Sequence, residues 1–203
     1  MMPWEHAIIG YVAYSLFVHT VYQDSPTSHE TIIVVFASLL PDLIDKPLAW
    51  QFGVFEGGYA LGHSIFFAVP LSAAVAILAY NRGQSRFSWA FGIGYLLHPL
   101  FDVLPTYIGS GELQLERILW PIGGNGSQQD SISEGVVINF VPYVRSIGGQ
   151  LLTGEPSRYL LFVLGLGSFA FLLWLYDGMP VVKEGYHGVR ERVSRLDTNN
   201  DQR

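Results

Sequence analysis

His98 and Asp102 stand four residues apart in an apolar stretch, a spacing that stacks an imidazole and a carboxylate one turn apart on the same helix face. Such a pair can grip one metal ion, or satisfy itself as a neutral histidine bonded to its own helix's carboxylate. Asp42 and Asp45 lie i, i+3 between Pro41 and Pro47, and His63 sits between Gly62 and Ser64. Asp42 is expected as a ligand, and Asp45 as a second ligand or as the general base for an ion-activated water. The alternative for this pair is a helix cap or an ion pair with Lys46. His63 is a further candidate ligand, or an interfacial histidine making one hydrogen bond. Ser64 is expected to support the site by a hydrogen bond, and His6 is a ligand or an ordinary interfacial residue. The chain has no cysteine, so any metal here must use imidazole and carboxylate, a donor set that suits Zn²⁺.

The elements that must position these residues are read as membrane-spanning helices. Half of the residues are hydrophobic and only 14% are charged, against roughly 25% in an ordinary soluble domain. A span needs about 20 mainly apolar residues, and five windows approach that: 3–22, 30–50, 59–80, 87–108 and 159–176. The expected fold is an all-α, polytopic transmembrane bundle of about five spans. Pro41 and Pro47 predict a break in the second span, and Pro99 a kink in the fourth. Consecutive spans run in opposite directions. His6 at the start of the first, Asp42 and Asp45 near the end of the second, His63 at the start of the third, and His98 and Asp102 late in the fourth therefore fall on one membrane face. Ionisable groups within spans are costly unless paired or functional, so their gathering at one end predicts a site.

Domain 1–177 is the membrane-embedded unit and 178–203 a polar, basic tail, partly disordered. Between the fourth and fifth spans the insertion 109–158 contains apolar patches, 118–122 and 136–144, expected to form a lid or interfacial helices. Arg82, Arg86, Lys183, Arg190, Arg192 and Arg195 share one side of a five-span chain. Their excess predicts that side to be cytoplasmic and the metal-site face extracytoplasmic. His19, His29 and His187 are expected to be structural or solvated, and Asp177 to cap the exit of the last span. Gly123-Gly124-Asn125-Gly126 has no Lys-Ser/Thr after it and is read as a turn rather than a phosphate loop. The formal charge of −6 argues against a nucleic-acid partner, leaving the lipid bilayer as the predicted surrounding.

Four strings in order carry a resemblance: Ser38-Leu39-Leu40-Pro41-Asp42-Leu43-Ile44-Asp45-Lys46-Pro47, Gly62-His63-Ser64, Gly94-Tyr95-Leu96-Leu97-His98-Pro99-Leu100-Phe101-Asp102, and Leu119-Trp120-Pro121. Over residues 1–122 the chain resembles the membrane-bound metal-dependent hydrolases that include LexA-binding, inner-membrane-associated proteins. That family is similar to zinc-dependent phospholipase C in its pattern of metal ligands. The resemblance implies Asp42, His63, His98 and Asp102 as the ligand set and a cytoplasmic-membrane location. Where many members carry a His-Arg pair this chain has Gly57-Gly58-Tyr59, and Gly62 replaces a threonine, so one ion rather than two is expected.

The function so implied is hydrolysis of a phosphoester or ester of a lipid or lipid-linked substrate by a metal-activated water. The alternative is a non-enzymatic membrane protein in which the cluster is a structural metal or polar network supporting partner binding. An ion-coupled transporter would place polar residues through the full membrane depth, and an intramembrane metalloprotease would need His-Glu-x-x-His. Neither pattern is present.

Overall fold

A computed structural model describes residues 2–123 and 136–186 of the chain. Residues 124–126 of the 123–126 glycine run, His187 and the remainder of the tail lie outside the described residues. Within them the structure is all-helical: α1 (Pro3–Val21), α2 (Ser28–Trp50), α3 (Ile65–Tyr80), α4 (Ser85–Ser110), a 3₁₀ turn (Leu115–Arg117), α5 (Val136–Thr153) and α6 (Arg158–Tyr176).

Local chemistry sets the boundaries. Thr27 and Glu30 form a reciprocal capping box that starts α2. Ser64 and Ser157 cap α3 and α6 through their hydroxyls. Helix α4 stops at Gly111, whose φ of 76° is open to glycine at little cost. The third helix begins at Ile65 rather than near Tyr59, which leaves His63 in the turn ahead of it. The amides of Ala60, Gly62 and His63 are instead taken by the Asp45 carboxylate, which substitutes for helical acceptors. Contrary to expectation, α2 is unbroken and carries both Pro41 and Pro47 in its interior. Each proline forfeits one backbone bond, which the packing of α2 between α1 and α4 supports.

Helix α4 is central, packed on α1, α2 and α3, and α6 lies against α1. The approach of α2 to α4 is close at Gly94, where a Cβ would sit 2.5 Å from the carbonyl oxygen of Val34. Only a missing side chain permits that distance, as in the small-residue contacts of membrane helices. Tyr14, Val18, Val34 and Ala90 form one buried apolar cluster, and Ala37, Ala68, Phe91 and Tyr95 another. Helices α5 and α6 are tied to the start of α1 through Glu5, whose carboxylate accepts from the hydroxyls of Tyr143 at 3.2 Å and Tyr159 at 2.6 Å.

By length and composition, α6 is the one helix among the described residues that clearly qualifies to cross a membrane, and α3 is a shorter apolar helix of 16 residues. Five spans are therefore not established by hydropathy. The reason is visible in the sequence: α1, α2 and α4 carry the ionisable residues, which dilute their apolar windows.

Candidate metal centre

The structure brings His6, Asp42, Asp45, His63, His98 and Asp102 together at one end of the bundle, all of them buried. His6 comes from the first turn of α1, the two aspartates from the last turns of α2, His63 from the loop before α3, and His98 and Asp102 from α4. Gly62 allows that loop to settle on α2, since a Cβ there would lie 2.7 Å from the Pro41 carbonyl oxygen.

The hydrogen bonds at the back of each imidazole decide its tautomer. His98 Nδ1 lies 2.5 Å from the carbonyl oxygen of Ser38. A carbonyl only accepts, so Nδ1 carries a proton, and in the neutral ring Nε2 presents a lone pair. His63 Nδ1 donates in the same way to Asp45 Oδ2 at 2.8 Å. The two bare Nε2 atoms face each other 3.1 Å apart. Asp102 Oδ2 stands 3.4 Å from His63 Nε2 and 3.2 Å from His98 Nε2. Asp42 Oδ1 stands 3.5 and 3.6 Å from the same two atoms. With both rings neutral, the Nε2 lone pairs of His63 and His98 each lie 3.2–3.6 Å from a carboxylate oxygen of Asp102 and of Asp42.

That arrangement fits a cation in both distance and charge. Zinc bonds of about 2.0–2.2 Å give a tetrahedron edges of about 3.3–3.6 Å. Five of the six edges are the distances just given, from 3.1 to 3.6 Å. Asp42, Asp45 and Asp102, set against Lys46, leave two negative charges, which one divalent ion balances. Asp42, His63 and His98 form one cluster of metal-binding donors, and His6, His98 and Asp102 another that shares His98.

The surrounding residues hold this set in place. Asp45, fully buried, accepts from the amides of Ala60, Gly62 and His63 at 2.7–3.1 Å as well as from the His63 ring. Both of its oxygens are so engaged. His6 Nε2 lies 3.1 Å from Asp102 Oδ1, and its ring stacks on that of His98 at 3.8 Å. Lys46 Nζ lies 2.7 Å from Asp42 Oδ2, so Asp42 serves the ion pair and the centre with different oxygens. The Ser64 hydroxyl donates to the Trp120 carbonyl and the Ile65 amide to the Ile118 carbonyl, fastening the 115–121 segment to the start of α3 beside His63. Tyr59 meets the His63 ring edge-on and has the Arg117 guanidinium over its face.

The sequence alone did not indicate Ser38, Ala60 or Tyr95. Two of them act through backbone atoms, and the Tyr95 hydroxyl donates to the Gly62 carbonyl from deep in the core. His19 lies at the opposite end, bonded to Asp177, and His29 is exposed.

Residues 1–179 match the family model described as YdjM inner membrane protein, and the chain belongs to that family of membrane proteins. No curated protein and no solved structure matches it.

Proposed function

We propose that this chain is a multi-pass hydrolase of the cytoplasmic membrane that uses one divalent ion, zinc by its donor set, to cleave a phosphoester or ester of a lipid or lipid-linked substrate. Asp42, His63, His98 and Asp102 hold the ion. The observation that carries the reading is that the Nε2 atoms of His63 and His98, 3.1 Å apart, each lie 3.2–3.6 Å from a carboxylate oxygen of Asp42 and of Asp102. Bound there, the ion supplies Lewis acidity, polarising a phosphoryl or carbonyl oxygen and acidifying water.

The chain's other residues prepare that centre. Asp45 fixes the ring and tautomer of His63, Ser38 does the same for His98, and His6 steers Asp102 by holding its outer oxygen. Ser64 positions the 115–121 segment. Several spans are favoured by an inverted distribution of polarity. Glu5, His6, Asp42, Asp45, His63, His98, Asp102 and Asp177 are buried, whereas Ile32, Phe36, Leu43, Phe66, Ile77, Leu100 and Phe162 are exposed. That is the arrangement expected where the solvent is hydrocarbon. The excess of arginines in the 82–86 loop and the tail supports an extracytoplasmic metal-site face.

A second reading has its own support: four protein ligands can close a coordination sphere, as in structural zinc sites, whereas catalytic sites keep one position open. Turnover separates the two. The hydrolase reading expects purified protein to cleave a fluorogenic phosphodiester or phospholipid in a zinc-dependent way, with turnover lost in Asp102→Ala. An ion bound at full occupancy without turnover on phosphoesters, carboxyl esters or phospholipids would move the assignment to a structural centre.

A further inference from the structure

Asp42 does more than face the proposed ion. It forms part of the wall of a cavity of about 290 Å³ between the start of α1 and the second half of α2. The rest of that wall is mostly apolar, with Pro3, Leu39, Leu43 and Trp50 prominent, and Leu43 is exposed on the outer surface of α2. One cation stands in it. Lys46 Nζ lies 2.7 Å from Asp42 Oδ2 and 5.8 Å from the centre of the Trp50 ring, with its side chain partly exposed.

A mostly apolar cavity whose wall includes a proposed metal ligand and, beside it, a single ammonium has the polarity of one kind of molecule. Hydrocarbon suits Leu39, Leu43 and Trp50, and an anionic group suits Lys46. An ammonium has three donors, so Lys46 can keep Asp42 and take a phosphate oxygen at the same time. A neutral carboxyl ester would have no use for the charge.

We infer that the α1–α2 cavity is the lateral access route for a membrane lipid carrying a phosphoester, with Lys46 seating the phosphate beside Asp42 and the Leu39, Leu43 and Trp50 wall receiving the acyl chain. The inference rests on the hydrolase reading and narrows it to phosphoester lipids. It makes Lys46 a substrate-binding residue and Trp50 a reporter of occupancy.

The test uses the full chain, loaded with zinc, in phosphatidylcholine nanodiscs doped with brominated phosphatidic acid or with an equal amount of brominated phosphatidylcholine. The Trp50 signal is the difference between the wild type and Trp50→Phe. Brominated phosphatidic acid is expected to quench it with about fivefold higher apparent affinity, the preference that one basic residue gives for an anionic lipid. Lys46→Gln is expected to abolish that preference and Lys46→Arg to retain it, both with unchanged zinc content. Equal quenching by the two lipids, or a preference that survives in Lys46→Gln, overturns the inference. Relief of quenching by millimolar inorganic phosphate would assign the seat to free phosphate and overturn it as well. Zinc content measured on the same samples separates the two levels. Zinc retained without headgroup preference defeats the access route alone, whereas wild-type protein that binds no zinc defeats the hydrolase reading and this inference together.

Discussion

The bundle buries a polar cluster at each end, and the two are built on opposite principles. At one end Asp177 accepts from the hydroxyls of Tyr11 at 2.5 Å and Ser15 at 2.7 Å, and from His19 Nε2 at 2.6 Å. Every short contact there pairs a donor with an acceptor, so the cluster is complete as it stands. At the other end the same residue types, histidine and aspartate, are turned so that neutral imidazoles bring acceptor against acceptor, with His63 Nε2 and His98 Nε2 3.1 Å apart. Two neutral imidazoles whose Nδ1 protons are committed to Asp45 and Ser38 have nothing left to offer each other. Burial makes such an arrangement costly without a cation. Composition does not distinguish a structural latch from a candidate ion site; the direction in which each polar group is turned separates these two clusters.

The contrast is broken most forcefully by removing the proposed ion. Chelation is expected to lower the apparent stability by about 4 kcal/mol when the free ion had been at a thousand times its Kd. The same treatment should leave the Asp177 end intact, and thermal unfolding in detergent with and without chelator measures the difference. Next in size, Asp45→Asn should weaken zinc binding about 10–100-fold, the usual cost of losing an orienting carboxylate, read by competition with a fluorescent chelator. Asp177→Asn should do the reverse: a loss of about 1–3 kcal/mol in stability from disturbed buried hydrogen bonds, with zinc affinity unchanged.

The smallest effect lies outside both clusters. In the loop between α1 and α2, the Arg86 guanidinium 2.8 Å from Asp24 holds that exposed carboxyl below its ordinary range. An acid whose pKa is depressed by folding stabilises above its unfolded pKa and loses that contribution as pH falls through the folded value. Asp24→Asn should therefore change the melting temperature only slightly, and only above about pH 4, the ordinary aspartate range.

Much of the candidate site was legible because antiparallel helices turn sequence position into depth. His6 opens α1, Asp42 and Asp45 close α2, His63 precedes α3, and His98 and Asp102 lie late in α4, so one face receives them all. The helical class was legible from apolar run lengths. What could not be read were contacts made by backbone atoms, which have no residue signature: the Ser38 carbonyl behind His98, and the amides of Ala60, Gly62 and His63 around Asp45. Those amides also explain why His63 sits in a loop, since an acidic side chain that captures them replaces the first turn of a helix. The prolines misled for a related reason. Their local cost in α2 is set against packing on α1 and α4 that the sequence does not display.

The central claim is that four acceptors around one point hold one divalent ion, and elemental analysis of the purified full-length chain tests it most directly. About one zinc per chain is expected in the wild type, and loss of that zinc in His98→Ala with helicity retained. A wild-type chain that stays folded without any divalent metal, or a His98→Ala chain that keeps its full complement, would contradict it.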